Sequence, residues 1–544
     1  MEAALKTEKG EPKAARGKGF AMISDDDLHN ILSKLPALAF ASAACVSKSW
    51  NTICNRILFS RPKLSSALSL HPSPHVAVQD VLEKVLSEPI RPHFAIANVG
   101  SGFSLIEAFR LITKRLGSRM PFIISTANGI IGRDSLTNEY REVKWIDIGG
   151  DFHDEDGYIP AKDLNNGIVL TVGFLPGLKV DAIPLLRSVK EPRVAMVDQF
   201  VTDIKDYTAS VSGCAAPVGI IMFGEGLVDM KPIIDVLDYA MPMETVIVGD
   251  EKGRFLYKSG NESRNVCGST KYLSDAVALV FARDNDKSIV FFVCHECEGI
   301  GDVQFHSTLS SGVSAVGPIH KAVSVKENCS EHTTWLTARR EGQHEVLDGQ
   351  RILDDINNEP GSCIKSSKLY IRVTKRRKCC IGSEKPRLIT SLAFHGVKGT
   401  DEGCLYVNGT NIKTGDYFQF YRSDPNTALS SCVDASSNLK SLKPDGNSSN
   451  CHRMRAVAVK KEIFGGLIFS CYGDRLFSRR NIYSSRFTES FPGVPFAGIF
   501  CRGEIGRGFS SLLGESNKEG SAHCMRAYST VFLVMSYTLA RPEH

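Results

Sequence analysis

The segment from Phe94 to Ser125, FAIANVGSGFSLIEAFRLITKRLGSRMPFIIS, sets the fold class. Phe94 to Val99 is a short apolar run, the pattern of a buried strand. Gly100-Ser101-Gly102 turns the chain, residues 105–116 have helical spacing, and residues 122–125 form a second apolar run. Strand, helix and strand at this spacing predict a layered α/β chain, with α+β as the alternative. The alternation continues in both directions. Residues 76–86 carry a helical stripe (Val78, Val81, Leu82, Val85, Leu86). Strands are expected at 146–148, 168–172, 194–197, 218–223, 245–248, 276–281 and 288–293, with a short helix at 232–239. A second block begins near Val313, with strands at 335–338, 345–347, 369–374, 391–394, 404–407, 416–421, 467–471, 497–500 and 530–537 and a helix at 351–356. Residues 430–453, rich in Ser, Asn and Asp, read as a flexible surface loop. No repeat of roughly 20 to 50 residues recurs, which argues against a leucine-rich-repeat solenoid.

Ahead of this region, residues 23–54 read ISDDDLHNILSKLPALAFASAACVSKSWNTIC. Leu28, Ile31, Leu32 and Leu35 fall at i, i+3, i+4 and i+7, one face of a helix. Ser24 and the three aspartates after it suit a helix start. Pro36 ends that helix and opens the next. Val46, Trp50, Ile53 and Cys54 form a further helical stripe. So few residues cannot bury a core of their own. The hairpin is expected to dock on a partner, with the remaining chain as its cargo.

With 544 residues, 42% hydrophobic and 23% charged, the chain is an ordinary globular composition with room for two or three domains. A net charge of +5 is small for this length and points to neither a nucleic-acid nor a membrane surface. The first 20 residues are charged and lack the apolar core of a signal peptide, and read as a disordered tail. The expected location is the cytoplasm, the nucleus or both, where the 16 cysteines stay reduced.

The pattern Leu28-x-x-Ile31-Leu32-x-x-Leu35-Pro36, followed by Val46-Ser47-Lys48-Ser49-Trp50, resembles an F-box. Where the family has Leu-Pro ahead of the acidic positions, this chain has Met22-Ile23-Ser24. Behind it, several stretches resemble the two halves of a FIST domain. They are Val99-Gly100-Ser101-Gly102, residues 121–132 (PFIISTANGIIG), Glu244 to Gly249, Ser314 to Pro318 and Leu347-Asp348-Gly349. Residues 466–473 (GLIFSCYG), 491–500 (FPGVPFAGIF) and Gly503-Glu504-Ile505-Gly506 match most closely. Asp250 stands where the family tends to have a second glycine, and Asp474 where it often has an arginine.

The resemblance implies a tail at 1–20, an F-box hairpin at 21–65, a linker and helix at 66–92, a FIST-N-like domain at 93–312 and a FIST-C-like domain at 313–540. It implies the substrate-recognition subunit of an SCF (Skp1–cullin–F-box) ubiquitin ligase, a non-catalytic adaptor. Ile23, Leu28, Ile31, Leu32, Leu35, Pro36, Val46 and Trp50 would then bind a Skp1-like partner. A small-molecule sensor of amino acids or haem is the alternative. Polar groups at strand ends (Ser125, Thr126, Asn128, Gly129, Cys471, Gly503 and Glu504) are the expected ligand pocket. The protein substrate is unspecified, and no cofactor, metal, membrane or direct nucleic-acid partner is expected.

Other constellations carry less. Cys294-His295-Glu296-Cys297 lacks a second ligand pair at zinc spacing and reads as structural thiols. Lys375-Arg376-Arg377-Lys378 follows an expected strand directly and reads as a solvated turn, with nuclear import as the alternative. Asp151, His153, Asp154, Glu155 and Asp156 read as a solvated acidic loop. Gly100-x-Gly102 lacks the third small residue of a dinucleotide fingerprint, and no nucleophile–base set can be assembled.

Overall fold

The computed structural model describes residues 23–117, 119–145, 165–190, 194–226, 228–266, 271–285, 301–329, 331–357, 368–379, 385–401, 403–442, 461–471, 482–507, 524–525 and 529–539. The expected tail, the expected strands at 146–148 and 288–293, the acidic loop at 151–156 and the Cys294–Cys297 segment lie outside them.

Three short helices come first: α1 (Asp25–Leu32), α2 (Ala37–Ala44) and α3 (Lys48–Phe59). Ser24 caps α1 by accepting the Asp27 N–H at 3.1 Å, and Ser47 caps α3 by accepting the Trp50 N–H at 3.1 Å.

After the hairpin, one order of elements occurs three times. The first unit is β1 (Lys63–Ser69), α4 (Pro74–Val85), β2 (Phe94–Val99), α5 (Leu105–Leu116), β3 (Phe122–Thr126), the hairpin β4 (Gly129–Arg133) and β5 (Tyr140–Lys144), then β6 (Ile168–Phe174). The second is β7 (Leu178–Ser188), α6 (Val194–Ser212), β8 (Gly219–Glu225), α7 (Lys231–Ala240), β9 (Val246–Gly253), β10 (Phe255–Lys258) and β11 (Tyr272–Arg283).

The third unit opens with β12 (Asp302–Ser311) and is then interrupted. The interruption is β13 (Val313–Asn328), β14 (Thr333–Arg340), α8 (Gly349–Asn357), β15 (Leu369–Cys379), β16 (Arg387–Asp401), β17 (Cys404–Asn408) and β18 (Tyr417–Ser423). These strands close a barrel in the order β13-β14-β17-β16-β15-β18. The unit resumes with α9 (Pro425–Lys440), β19 (Lys461–Cys471), α10 (Ile482–Ser490), β20 (Phe496–Cys501), β21 (Glu504–Arg507), β22 (Cys524–Met525) and β23 (Ser529–Thr538).

The repetition extends to pairing. Each unit has one parallel strand pair joined across a helix: β2 with β3, β8 with β9, β19 with β20. A later strand returns antiparallel beside the first of the pair: β6 on β2, β11 on β8, β23 on β19. The unit's first strand closes that edge: β1, β7, β12. The strand after each parallel pair then leaves its own sheet. β4 pairs with β20, β10 with β3 and β21 with β9. The exchange is cyclic, so each sheet is completed by a neighbouring unit. Residues on both sides of position 312 share one sheet, because the barrel is an insertion within the third unit.

Arg507 reinforces the exchange. From buried β21 it donates to the carbonyls of Asp238, Met241, Pro242 and Thr245, the exit of α7 in the second unit. Its guanidinium also pairs with the Asp238 carboxylate at 2.7 Å.

Five local expectations need correction. Residues 345–347 form no strand: Glu345 and Val346 are exposed, and only Leu347 makes an isolated bridge, to Ala338. Residues 194–197 start helix α6 and not a strand, because Phe200, Val201, Ile204 and Thr208 are buried at helical spacing. Residues 430–440 are helix, not loop: Asp424 caps the Asn426 and Thr427 N–H groups, and Ala428, Cys432, Ala435 and Leu439 form the buried stripe. Residues 66–69 belong to β1 and not to a linker, since Ala67 and Leu68 are buried in the sheet. The basic run at 375–378 continues β15 instead of turning. Lys375 shares the inward side of the strand with Ile371 and Val373 and is buried.

Candidate functional site

Two regions carry the residues that the sequence singles out. The first is the outer face of α1–α3. Leu28 and Leu32 point inward with Phe40, Ile53, Cys54 and Leu58, and join one core with Val78 and Val81 of α4 and Ala95 and Ala97 of β2. The Ala37 N–H donates to the Leu86 carbonyl at 2.9 Å, and the Phe59 ring meets Phe174 edge-on at 5.4 Å. The hairpin therefore docks on its own chain by its inner face, contrary to the expectation that a partner supplies that contact.

Its other face is open. Ile31 and Leu38 are each 51% exposed and Val46 is 64% exposed, although all three are large and apolar. Pro36 is exposed, while Ile23, Leu35 and Trp50 are half-buried. Leu28 and Leu32 are buried, 7% and 1% exposed. Leu38 escaped the sequence reading because the Ala-rich α2 shows no clear polar side.

The second region is where the three exchanges cross. β3, β9 and β20 all end here, and ligands of α/β sheets favour such strand ends. The crossings are linked: Thr126 N–H donates to Arg254 O at 2.8 Å, Asn128 N–H to Phe500 O at 2.9 Å, and Glu251 N–H to Gly503 O at 2.6 Å. At Gly129 the approach is close enough that a Cβ would lie 2.3 Å from the Val143 carbonyl oxygen.

Polar groups are buried around these crossings. Ser125 accepts a hydrogen bond from the Asn98 amide at 2.7 Å. The Glu504 carboxylate accepts the Ser529 N–H at 2.8 Å and its hydroxyl at 2.6 Å. Glu504 is the register partner of Asp250, and Asp250 and Glu251 are both buried. Cys471 and Cys501 face each other across β19 and β20.

Burial pushes the Asp250 carboxyl up to about 7, helped by Glu251 and Glu504. Glu504 is raised by burial as well. Burial, then Asp250 and Glu504, push the Cys501 thiol up, so it stays protonated and is a poor nucleophile. A buried carboxyl group that titrates near neutrality can exchange its proton for a cationic group. The expected pocket residues Ser125, Thr126, Asn128 and Gly129 lie at the first crossing, Gly503 and Glu504 at the third, and Cys471 beside the latter. Asp250 and Glu251, at the second crossing, were missed. The signal was the aspartate standing in place of a glycine.

Among the described residues, no group of three or more His, Cys, Asp or Glu side chains could hold a metal ion, and no helix is long and apolar enough to cross a membrane.

Comparison with known proteins matches an F-box domain over residues 20–61 and a FIST C domain over residues 390–507. The chain is 43% identical over 525 residues to an F-box/LRR-repeat protein of Arabidopsis thaliana, covering 95% of this chain and 94% of that one. That relative's name includes a leucine-rich repeat. The described strands of this chain instead form three mixed sheets and a closed barrel. With a helical hairpin carrying the first match and a mixed α/β body carrying the second, the chain belongs to the F-box proteins that bear a FIST region.

Proposed function

We propose that this protein is the substrate-recognition subunit of an SCF ubiquitin ligase, recruiting target proteins for ubiquitination and proteasomal degradation in the cytoplasm, the nucleus or both. F-box domains generally bind Skp1 within such complexes, and F-box proteins are generally non-catalytic adaptors. The observation that carries the reading is the outward apolar trio Ile31, Leu38 and Val46 on a hairpin fixed to the body by its other face. Exposed apolar side chains on a rigid support are what helix-groove recognition requires. Pro36 at the α1–α2 turn is exposed, and Ile23, Leu35 and Trp50 are half-buried against the hairpin's core.

The chain itself then performs no bond chemistry; it supplies proximity between target and ubiquitin-charged enzyme. Co-purification tests this. The full chain should bring down Skp1, and proteins that co-purify with it should accumulate when it is removed. Absence of Skp1 from the purified complex would contradict the reading.

A second reading concerns the strand-exchange junction, favoured by the convergence of Asp250, Glu251 and Glu504 with Ser125 and Thr126. A ligand bearing an ammonium group, such as an amino acid, suits buried carboxylates, and its binding would gate target capture. A rise in melting temperature with one member of an amino-acid panel, lost in Glu504→Gln, supports this. No shift across the panel overturns it.

A further inference from the structure

A cleft of about 1050 Å3 opens at the far end of β3, away from the strand-exchange junction. Phe59, the last residue of α3, forms part of its wall, together with segments of the first two units. Its charges are unevenly matched. Asp181 pairs with Arg264 and also accepts hydrogen bonds from Ser259 and Gly260. Asp284 pairs with Lys179 at 3.1 Å. Arg91 and Arg119 also line the cleft, both are exposed, and neither has a carboxylate partner among the described residues.

The rest of the wall is mostly apolar, with Pro92, Leu116 and Met120 beside the rings of Phe59 and His93. Phe174 meets Phe59 at 5.4 Å and His93 at 4.3 Å between ring centroids. Burial, with a contribution from Arg91, lowers His93 to about 4, so at neutral pH it adds an uncharged ring surface. A concave, mostly apolar wall with a few charged groups at its margin is the usual make-up of a small-molecule site, and this volume lies just above the usual range. Guanidinium groups bind carboxylates and other oxyanions in a fixed fork geometry.

We propose that this cleft binds a small organic anion with a flat apolar body, its acidic group held by Arg91 and Arg119 and its body laid against Phe59 and His93, behind which Phe174 is buried. Such a ligand bridges the F-box hairpin and the FIST body, because Phe59 belongs to the first and His93 to the second.

The test uses the full chain and the fluorescent anion 8-anilinonaphthalene-1-sulfonate. Saturable binding at one site is expected. The double variant Arg91→Gln/Arg119→Gln should weaken it roughly tenfold or more, with an unchanged melting temperature because both side chains are exposed. On the unmodified chain, 2-naphthoate should displace the dye while neutral 2-naphthalenemethanol at the same concentration should not. Equal affinity in a folded double variant, equal competition by the alcohol, or no saturable binding would each overturn the proposal. The competition stands independently if the variant fails to fold.

Discussion

The F-box hairpin and the strand-exchange junction solve opposite problems. The hairpin is one contiguous segment with exposed apolar side chains on its outward side, and its inner face is already buried in a core it shares with the body. The junction is assembled from three separate crossings, and its carboxylates are buried. A surface of the first kind can be altered without disturbing the fold, because it contributes to nothing until a partner arrives. A site of the second kind is held by the same strand pairing that completes all three sheets. On the proposed reading, recognition and stability are therefore separable in the hairpin and inseparable at the junction.

The largest expected effect lies at the hairpin's inner face. Leu32→Asp buries an unpaired charge and should cost several kcal/mol, releasing the hairpin or unfolding the chain, as read by thermal denaturation. Ile31→Asp, one residue away but 51% exposed, should leave the melting temperature within about 1 °C. Equal destabilisation by the two would erase the contrast between the faces.

Arg507→Ala comes next. It removes the donor to four carbonyl groups and the partner of Asp238, and should cost roughly 3 kcal/mol. Gly129→Ala should cost about 1–3 kcal/mol, because its Cβ would press on the Val143 carbonyl where β4 enters the foreign sheet.

The smallest effect is a pH slope. The folded chain holds the Asp250 proton up to about pH 7, whereas the unfolded chain releases it near the ordinary carboxylate value. Stability from this group is therefore lost as pH rises between about 4 and 7. Asp250→Asn should flatten that slope and raise the melting temperature at pH 8 by on the order of 1–3 °C.

What the sequence discloses follows the same division. The hairpin was legible because its helices have local signals: Ser24 and Ser47 as caps, Pro36 as a break, and apolar residues at helical spacing. Which side of the stripe faces inward was not legible. Leu28, Ile31, Leu32 and Leu35 read as one face, and only packing against α3 separates Ile31 from Leu28 and Leu32.

Most of the apolar strands were legible from their length. Their exchange was not, since β4 and β20 are far apart in sequence and an isolated apolar run carries no mark of its partner. Helix α9 was hidden by its Ser and Asn content and the start of α6 by its valines, both overridden by packing against β12, β7 and β11.

A direct binding measurement between the purified full chain and Skp1 bears most closely on the central claim, that the outward face of the hairpin is the adaptor surface. The wild-type chain should bind, and Ile31→Asp/Val46→Asp should weaken binding by roughly a hundredfold or more, about 3 kcal/mol, with the melting temperature unchanged. Undiminished affinity in that folded double variant would contradict the account.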